Sequence, residues 1–270
     1  MIESKNKTLK RIIMLGRKPG MIASTIYLLN KGIDVTCLIT REDEWKNYKE
    51  KERIRQSGTK IIFSDKELYE LIKNNDPVVQ NIDLVISYVF WKKIKTPLVT
   101  LGSRGCINFH PAPLPEYKNR AGYNTAILEG KKEFGVSVHY INSEEFDSGP
   151  IIDVRSFQIN PETINVHALE KESHTEMIEL FKQTIDKFIT EKIIITVPNE
   201  GGLSVTSKDL EMMKNINLHN DSNEEIHKKI RAFFFPPYHG ALIEINGEKF
   251  TLLDKNMLEY LDNILKNKKN

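Results

Sequence analysis

The first half of the chain alternates short apolar runs with charged stretches of helical period. Arg11 to Leu15 is apolar, ends at Gly16, and reads as a first strand. Pro19 to Asn30 follows with helical periodicity, and Pro19 suits a first helical position, where its missing N–H costs nothing. Asp34 to Ile39 is the next strand, and Asp43 to Gln56 a charged helix ending at Gly58. Lys60 to Phe63 is a third strand, and Asp65 caps a helix running to Lys73. Asp83 to Ser87, DLVIS, is strongly apolar again. Near-continuous apolar strands separated by helices predict an α/β fold: a Rossmann-like, doubly wound, mostly parallel sheet covered on both faces.

The rhythm continues through Gly105 to His110, a helix over Ala121 to Leu128, and strands over Val136 to Ile141 and Ile151 to Phe157. Thr163 to Ile189 is a long amphipathic helix with Leu169, Met177, Leu180, Phe181, Ile185 and Phe188 near one stripe. After about Thr190 the character changes. Pro198 to Gly202 resembles a linker, and Ser222 to Ala232 a helix. A Phe233 to Tyr238 aromatic-proline stretch precedes a hairpin, Ala241 to Ile245 and Lys249 to Leu253, joined by the turn pair Asn246-Gly247. A main domain over 1–190 and a small helix-and-hairpin region over 191–270 are therefore expected. The turn after the first strand reads GRKPG and lacks the GxGxxG spacing of a dinucleotide site, so nicotinamide and flavin are not expected.

Composition narrows the classes. Hydrophobic residues are 40% and charged residues 28%, which are globular proportions. Basic residues number 39 and acidic 37, a formal net charge of +2, so no basic footprint for nucleic acid exists. The basic run Lys266 to Lys269 reads as a solvated tail. Cys37 and Cys106 each lie inside an apolar strand with no CxxC partner. That usage fits a reducing compartment and offers neither a disulfide framework nor a metal site. Met1 to Lys10 is polar, and no apolar run approaches the ~20 residues of a membrane span, so a soluble, cytoplasmic protein is expected.

The candidate chemistry lies in INFHPAPLPEYKNRAGYNTAI, Ile107 to Ile127. Asn108 and His110 are two apart at the end of an expected central strand, so they share a side; Phe109 between them faces the other way. Ligands in such sheets bind outside the carboxyl ends of the strands. The proline-rich loop Pro111 to Pro115 is stiff and either shapes a ligand wall or merely exits the strand. Asp147 stands in a second loop, Glu145 to Pro150, which taken alone is an ordinary turn.

Asn-x-His, a Leu-Pro loop and a later Asp-Ser-Gly loop together resemble the formyltransferases that use N10-formyltetrahydrofolate. These include glycinamide ribonucleotide transformylase, methionyl-tRNA formyltransferase and the sugar N-formyltransferases. The resemblance is clear over Ile82 to Ile152 and implies a catalytic set of Asn108, His110 and Asp147. The chemistry agrees: an amine attacking a formyl carbon generates an oxyanion for an amide N–H to hold and a proton for an imidazole to take. The resemblance also implies that the folate lies along Ser87 to Ile94 and the Leu-Pro turn, with Trp91, Lys93, Ile94 and Leu114 as contacts.

The segment IRAFFFPPYHGALIEINGEKFTLLD and the stretch GYNTAILEG, which contains Tyr123, are similar to the sugar N-formyltransferases. This implies a nucleotide-linked amino sugar as acceptor, with no nucleic acid and no membrane as partner. Lys118 and Arg120 are candidates for its phosphates, and Tyr238 or Phe235 for its base; solvated charges and aromatic packing are the plain alternatives. Asn119-Arg120-Ala121 departs from the more glycine-rich relatives. A methionyl-tRNA formyltransferase, a formyltetrahydrofolate hydrolase and a non-catalytic folate-binding module remain open. The apolar hairpin strands suggest a homodimer.

Overall fold

The computed structural model describes residues 9–267. Residues 1–8 of the polar N-terminal stretch, and Lys268 and Lys269 of the basic run, lie outside them. In chain order the elements begin β1 (Arg11–Gly16), α1 (Lys18–Asn30), β2 (Asp34–Ile39), α2 (Glu42–Trp45), α3 (Lys51–Gln56) and β3 (Lys60–Ile62). Then come α4 (Asp65–Lys73), β4 (Leu84–Tyr88), β5 (Cys106–His110), β6 (Tyr117–Asn119), α5 (Gly122–Leu128), β7 (Glu133–Tyr140), β8 (Ile151–Gln158) and α6 (Val166–Thr190). The remainder is β9 (Leu203–Val205), α7 (Ser207–Met213), α8 (Asn223–Phe233), β10 (Leu242–Ile245), β11 (Glu248–Thr251) and α9 (Lys255–Asn267). No helix among the described residues is long and apolar enough to cross a membrane.

A seven-stranded sheet runs β3-β2-β1-β4-β5-β7-β8. It is parallel through β5, whereas β7 and β8 join antiparallel. The strand order reverses between β1 and β4, which opens a crevice at their carboxyl ends. Each strand divides its side chains between two cores. One face sends Ile12, Met14, Ile86, Ile107, Phe109 and Val138 against α1 and α6. Phe181 of α6 is fully buried there, with its ring 4.9 Å from Phe109 and 6.4 Å from Tyr88. Truncating it to alanine would cost about 3–5 kcal/mol. The other face carries Ile13, Leu15, Val85 and Cys106 against α4 and short turns.

Several expectations are corrected. The charged helix expected over Asp43 to Gln56 is two pieces, α2 and α3, because its few apolar positions anchor at only two points, Trp45 and Ile54. Asp65 is not a cap but the first residue of α4, after Ser64, and pairs with Lys92. The long helix begins at Val166, where Asn165 caps it by accepting from the Ala168 N–H at 2.9 Å. α7 and α9 were not expected; α9 buries Met257.

Residues after 190 make strand contacts with the first part of the chain. Val197 bridges Ile151, and β9 pairs with β6 in parallel. Ala232 and Phe233 of α8 share a core with Ala126 and Ile127 of α5 and Leu169 of α6. A separate small core forms from Ile216, Ile230, Phe234, Ala241 and Met257. Asn246 and Gly247 both take left-handed backbone, φ 52° and 84°, as the tight turn of the β10–β11 hairpin requires.

Candidate active site

On the face that carries Val85 and Cys106, the apolar residues give way to polar ones toward the carboxyl ends. Strand register sets them in rows. Ser87 of β4 lies beside Asn108 of β5, and Asn108 beside His139 of β7. One step further, His110 lies beside Ser137. The first row is a hydrogen-bonded series. Ser87 Oγ donates to Asn108 Oδ1 at 2.7 Å, Asn108 Nδ2 to His139 Nε2 at 3.1 Å, and His139 Nδ1 to the Tyr140 carbonyl at 2.8 Å. A carbonyl only accepts, so His139 bears a proton on Nδ1. In the second row Ser137 Oγ accepts from the Leu114 N–H at 2.7 Å and donates to the Ala112 carbonyl at 2.8 Å. That pins the proline loop against the sheet.

Asp147 enters from the loop between β7 and β8. Its Oδ1 accepts from Asn108 Nδ2 at 3.3 Å and lies 3.3 Å from His139 Nε2. Its Oδ2 accepts from the Asn119 N–H at 2.9 Å and lies 3.5 Å from His110 Nδ1. The Asp147 backbone is left-handed, φ 47°, and Asn199 holds it by donating from Nδ2 to the carbonyls of Asp147, at 2.8 Å, and Gly149, at 2.9 Å. The stretch expected as a linker is thus a clamp on this loop.

His110 donates from Nε2 to the Tyr117 carbonyl at 3.0 Å, which leaves the Nδ1 lone pair facing Asp147. Burial lowers the His110 pKa, against the opposing pull of Asp147, so the ring is neutral near neutral pH. Burial alone would raise the Asp147 pKa, but His110, His139 and the Asn119 N–H outweigh it and take it down to about 2. The pair is therefore a carboxylate beside a neutral imidazole whose free nitrogen faces it. A proton arriving at Nδ1 would be held as an ion pair at that contact.

These groups stand at the wall of a cavity of about 650 Å³. Trp91, Lys93 and Ile94 line one part of it, in the loop after β4; Lys93 Nζ is 3.7 Å from Glu144. Leu114 does not line it, because the pinned loop turns that side chain inward, leaving it 4% exposed. Arg120 and Tyr123 line another part, but Lys118 does not; its Nζ donates to the Asn199 carbonyl at 3.1 Å. Tyr238 is also absent from this wall. It is exposed beside a second cavity of about 200 Å³, with its ring 6.1 Å from Phe235.

Sequence reasoning gave Ser87 only as the start of the folate segment and missed His139, Asn199 and Arg17, which lines the cavity just after β1. Ser137 and His139 alternate with Val136 and Val138, the same signature that singled out Asn108 and His110. Arg17 and Arg120 make no ion pair with any described residue, and Arg17 Nε is buried without a partner. Among the described residues no three His, Cys, Asp or Glu side chains gather as metal ligands.

Residues 10–185 match the family described as Formyl transferase. The methionyl-tRNA formyltransferase of Thermotoga neapolitana is 27% identical over 260 residues, which cover 90% of this chain and 78% of that protein. That of Caldanaerobacter subterraneus subsp. tengcongensis is 26% identical over 196 residues, or 68% of this chain, and the match spans 61% of that protein's length. Among solved structures, a 4-N formyltransferase from Francisella tularensis superposes with a TM-score of 0.73 at 21% identity, covering 91% of this chain and 97% of that one. The N-formyltransferase from Helicobacter canadensis, in complex with folinic acid and dTDP-3-aminofucose, superposes with a TM-score of 0.70 at 24% identity, covering 90% and 87%. Both share the fold of this chain. The family match runs from the start of β1 into α6 and includes Asn108, His110, His139 and Asp147: the chain belongs to the formyl transferase family.

Proposed function

We propose that the chain transfers a formyl group from N10-formyltetrahydrofolate to the amino group of a nucleotide-linked amino sugar. The observation that carries the transfer is the convergence of Asn108, His110 and Asp147 on one cavity wall. The acceptor amine attacks the formyl carbon, and the carbonyl oxygen becomes an oxyanion. Asn108 Nδ2 supplies a hydrogen to it by releasing its 3.3 Å bond to Asp147, the longer of its two. His110 takes the amine proton at Nδ1, and the adjacent Asp147 carboxylate stabilises the imidazolium. Collapse of the tetrahedral adduct breaks the bond to N10 of the folate, and His110 returns the proton to that nitrogen.

The donor lies along the loop of Trp91, Lys93 and Ile94, and the acceptor toward Arg17, Arg120 and Tyr123. Two guanidiniums without ion pairs suit a diphosphate, and Arg17 takes the place first assigned to Lys118. The sugar reading draws support from the near-neutral charge balance and from a fold shared over most of this chain with an N-formyltransferase in complex with dTDP-3-aminofucose. The identity to methionyl-tRNA formyltransferases favours a second reading, formylation of a charged tRNA. A homodimer through the hairpin accords with the exposure of Ile245 and Phe250.

The deciding experiment supplies one donor, N10-formyltetrahydrofolate, with methionyl-tRNA or with a panel of thymidine-, uridine- and guanosine-diphosphate amino sugars. Formylation of a sugar is expected. Efficient formylation of methionyl-tRNA with an inert panel overturns the sugar reading, and release of formate alone makes the protein a hydrolase.

A further inference from the structure

We infer that Ser87 is a positioning residue for this site: its hydroxyl fixes which edge of the Asn108 amide faces the reacting formyl group. The inference rests on the formyl-transfer reading of the same site. An amide side chain is nearly symmetric in shape but opposite in polarity at its two ends, so its use as an oxyanion donor depends on what holds the oxygen away. Here parallel register places Ser87 directly beside Asn108, and the Ser87 hydroxyl donates to Oδ1 at 2.7 Å. Ser87 is 2% exposed, so water does not readily take over that bond. With the oxygen held toward β4, both N–H groups face the other way, to His139 Nε2 and Asp147 Oδ1. A reversed amide would set its oxygen against the Asp147 carboxylate and an N–H beside Ser87. The Ser87 bond also restrains the tilt of the amide plane, which its two bonds at 3.1 and 3.3 Å leave looser. A donor must meet the oxyanion within a few tenths of an ångström to be effective, so this restraint acts on the chemical step and not on substrate binding.

The test is a double-mutant cycle with Ser87→Ala and Asn108→Ala, read as kcat and as KM for both substrates, with thermal melts on each variant. Ser87→Ala is expected to lower kcat about tenfold with both KM values within about twofold. In the Asn108→Ala background the same change is expected to lower kcat less than about twofold, because the amide through which it acts is gone. Equal losses in both backgrounds, or an unchanged kcat in Ser87→Ala alone, overturn the inference. A second measurement needs no turnover. The side-chain NH2 resonances of Asn108, identified by their loss in Asn108→Asp, are expected to exchange with solvent several-fold faster in unliganded Ser87→Ala than in the wild type. Unchanged exchange overturns the role of Ser87. Faster exchange in a protein that formylates no acceptor upholds the positioning and overturns the formyl-transfer reading instead.

Discussion

Asp147→Asn keeps the shape of the side chain, removes its charge and leaves the surrounding donors in place. Oδ2 accepts from the Asn119 N–H at 2.9 Å, and Oδ1 from Asn108 Nδ2 at 3.3 Å. Both ends of the carboxylate therefore face donors, so a substituted amide meets one of them N–H to N–H whichever way it turns. The lost charge has a cost of its own. Burial raises the Asp147 pKa, but the two histidines and the Asn119 N–H take it below its ordinary 3.8, to about 2. Its folded pKa lies below the unfolded one, so its stabilisation is complete above the unfolded value and fades as pH falls through the folded one. Urea titrations should find Asp147→Asn less stable than the wild type, with the gap narrowing as pH falls from about 4 toward 2. The His110 imidazolium also loses its counter-ion during turnover, and kcat should fall on the order of 10³–10⁴-fold, the loss seen when a buried carboxylate orienting a histidine is neutralised. Single-turnover formyl transfer at saturating donor measures this. A variant within tenfold of the wild-type kcat would remove the Asp147 charge from the mechanism.

His110→Asn should still bind both substrates and lose nearly all turnover; near-wild-type kcat would exclude His110 as the base. Burial lowers the His110 pKa, and a general base acts in its neutral form, so kcat/KM should rise with pH through an inflection below the ordinary 6.5 and then level; an inflection above 6.5 contradicts this. Gly149→Ala would place a Cβ 1.8 Å from the Tyr140 carbonyl oxygen, so the Asp147 loop must shift. A stability loss of about 1–3 kcal/mol with a fall in kcat is expected, and wild-type behaviour in both would show that the loop tolerates displacement.

The placement of Asn108 and His110 on one cavity wall was legible because it obeys strand alternation. Asn108 and His110 sit two apart on β5 with Phe109 turned to the opposite core, as period two requires. Asp147 was legible only in company, since a loop carboxylate beside glycine and proline is an ordinary turn until strand register brings it to the imidazole. His139 obeys the same alternation on β7, but the resemblance fixed attention on three residues and left the fourth unweighed. Polar side chains decide the helix starts: Asn165 caps α6 later than the expected Thr163, and Ser222 caps α8, where that helix was expected to begin, through its bond from the Glu225 N–H. The clamp by Asn199 carried no local signal, because its partners, the Asp147 and Gly149 carbonyls, lie some 50 residues away.

The loop of Lys118 and Arg120 was legible only in part, for a specific backbone reason. Lys118 and Arg120 are two apart, so period two would send them to the same side as a pair of cations. The structure separates them, with Lys118 tied to the Asn199 carbonyl and Arg120 on the cavity wall. Between and beyond them, Asn119 and Ala121 take left-handed backbone, φ 63° and 67°. An asparagine adopts that region readily, but an alanine does so at a cost of about 1 kcal/mol or more, and neither announces it as glycine would. The left-handed pair breaks the alternation and delivers the Asn119 N–H to Asp147, so the conformation that redirects Arg120 toward the cavity also helps hold the Asp147 carboxylate ionised. This one stretch of backbone therefore ties the cavity wall that carries Arg120 to the Asp147 carboxylate, so a change made there moves both.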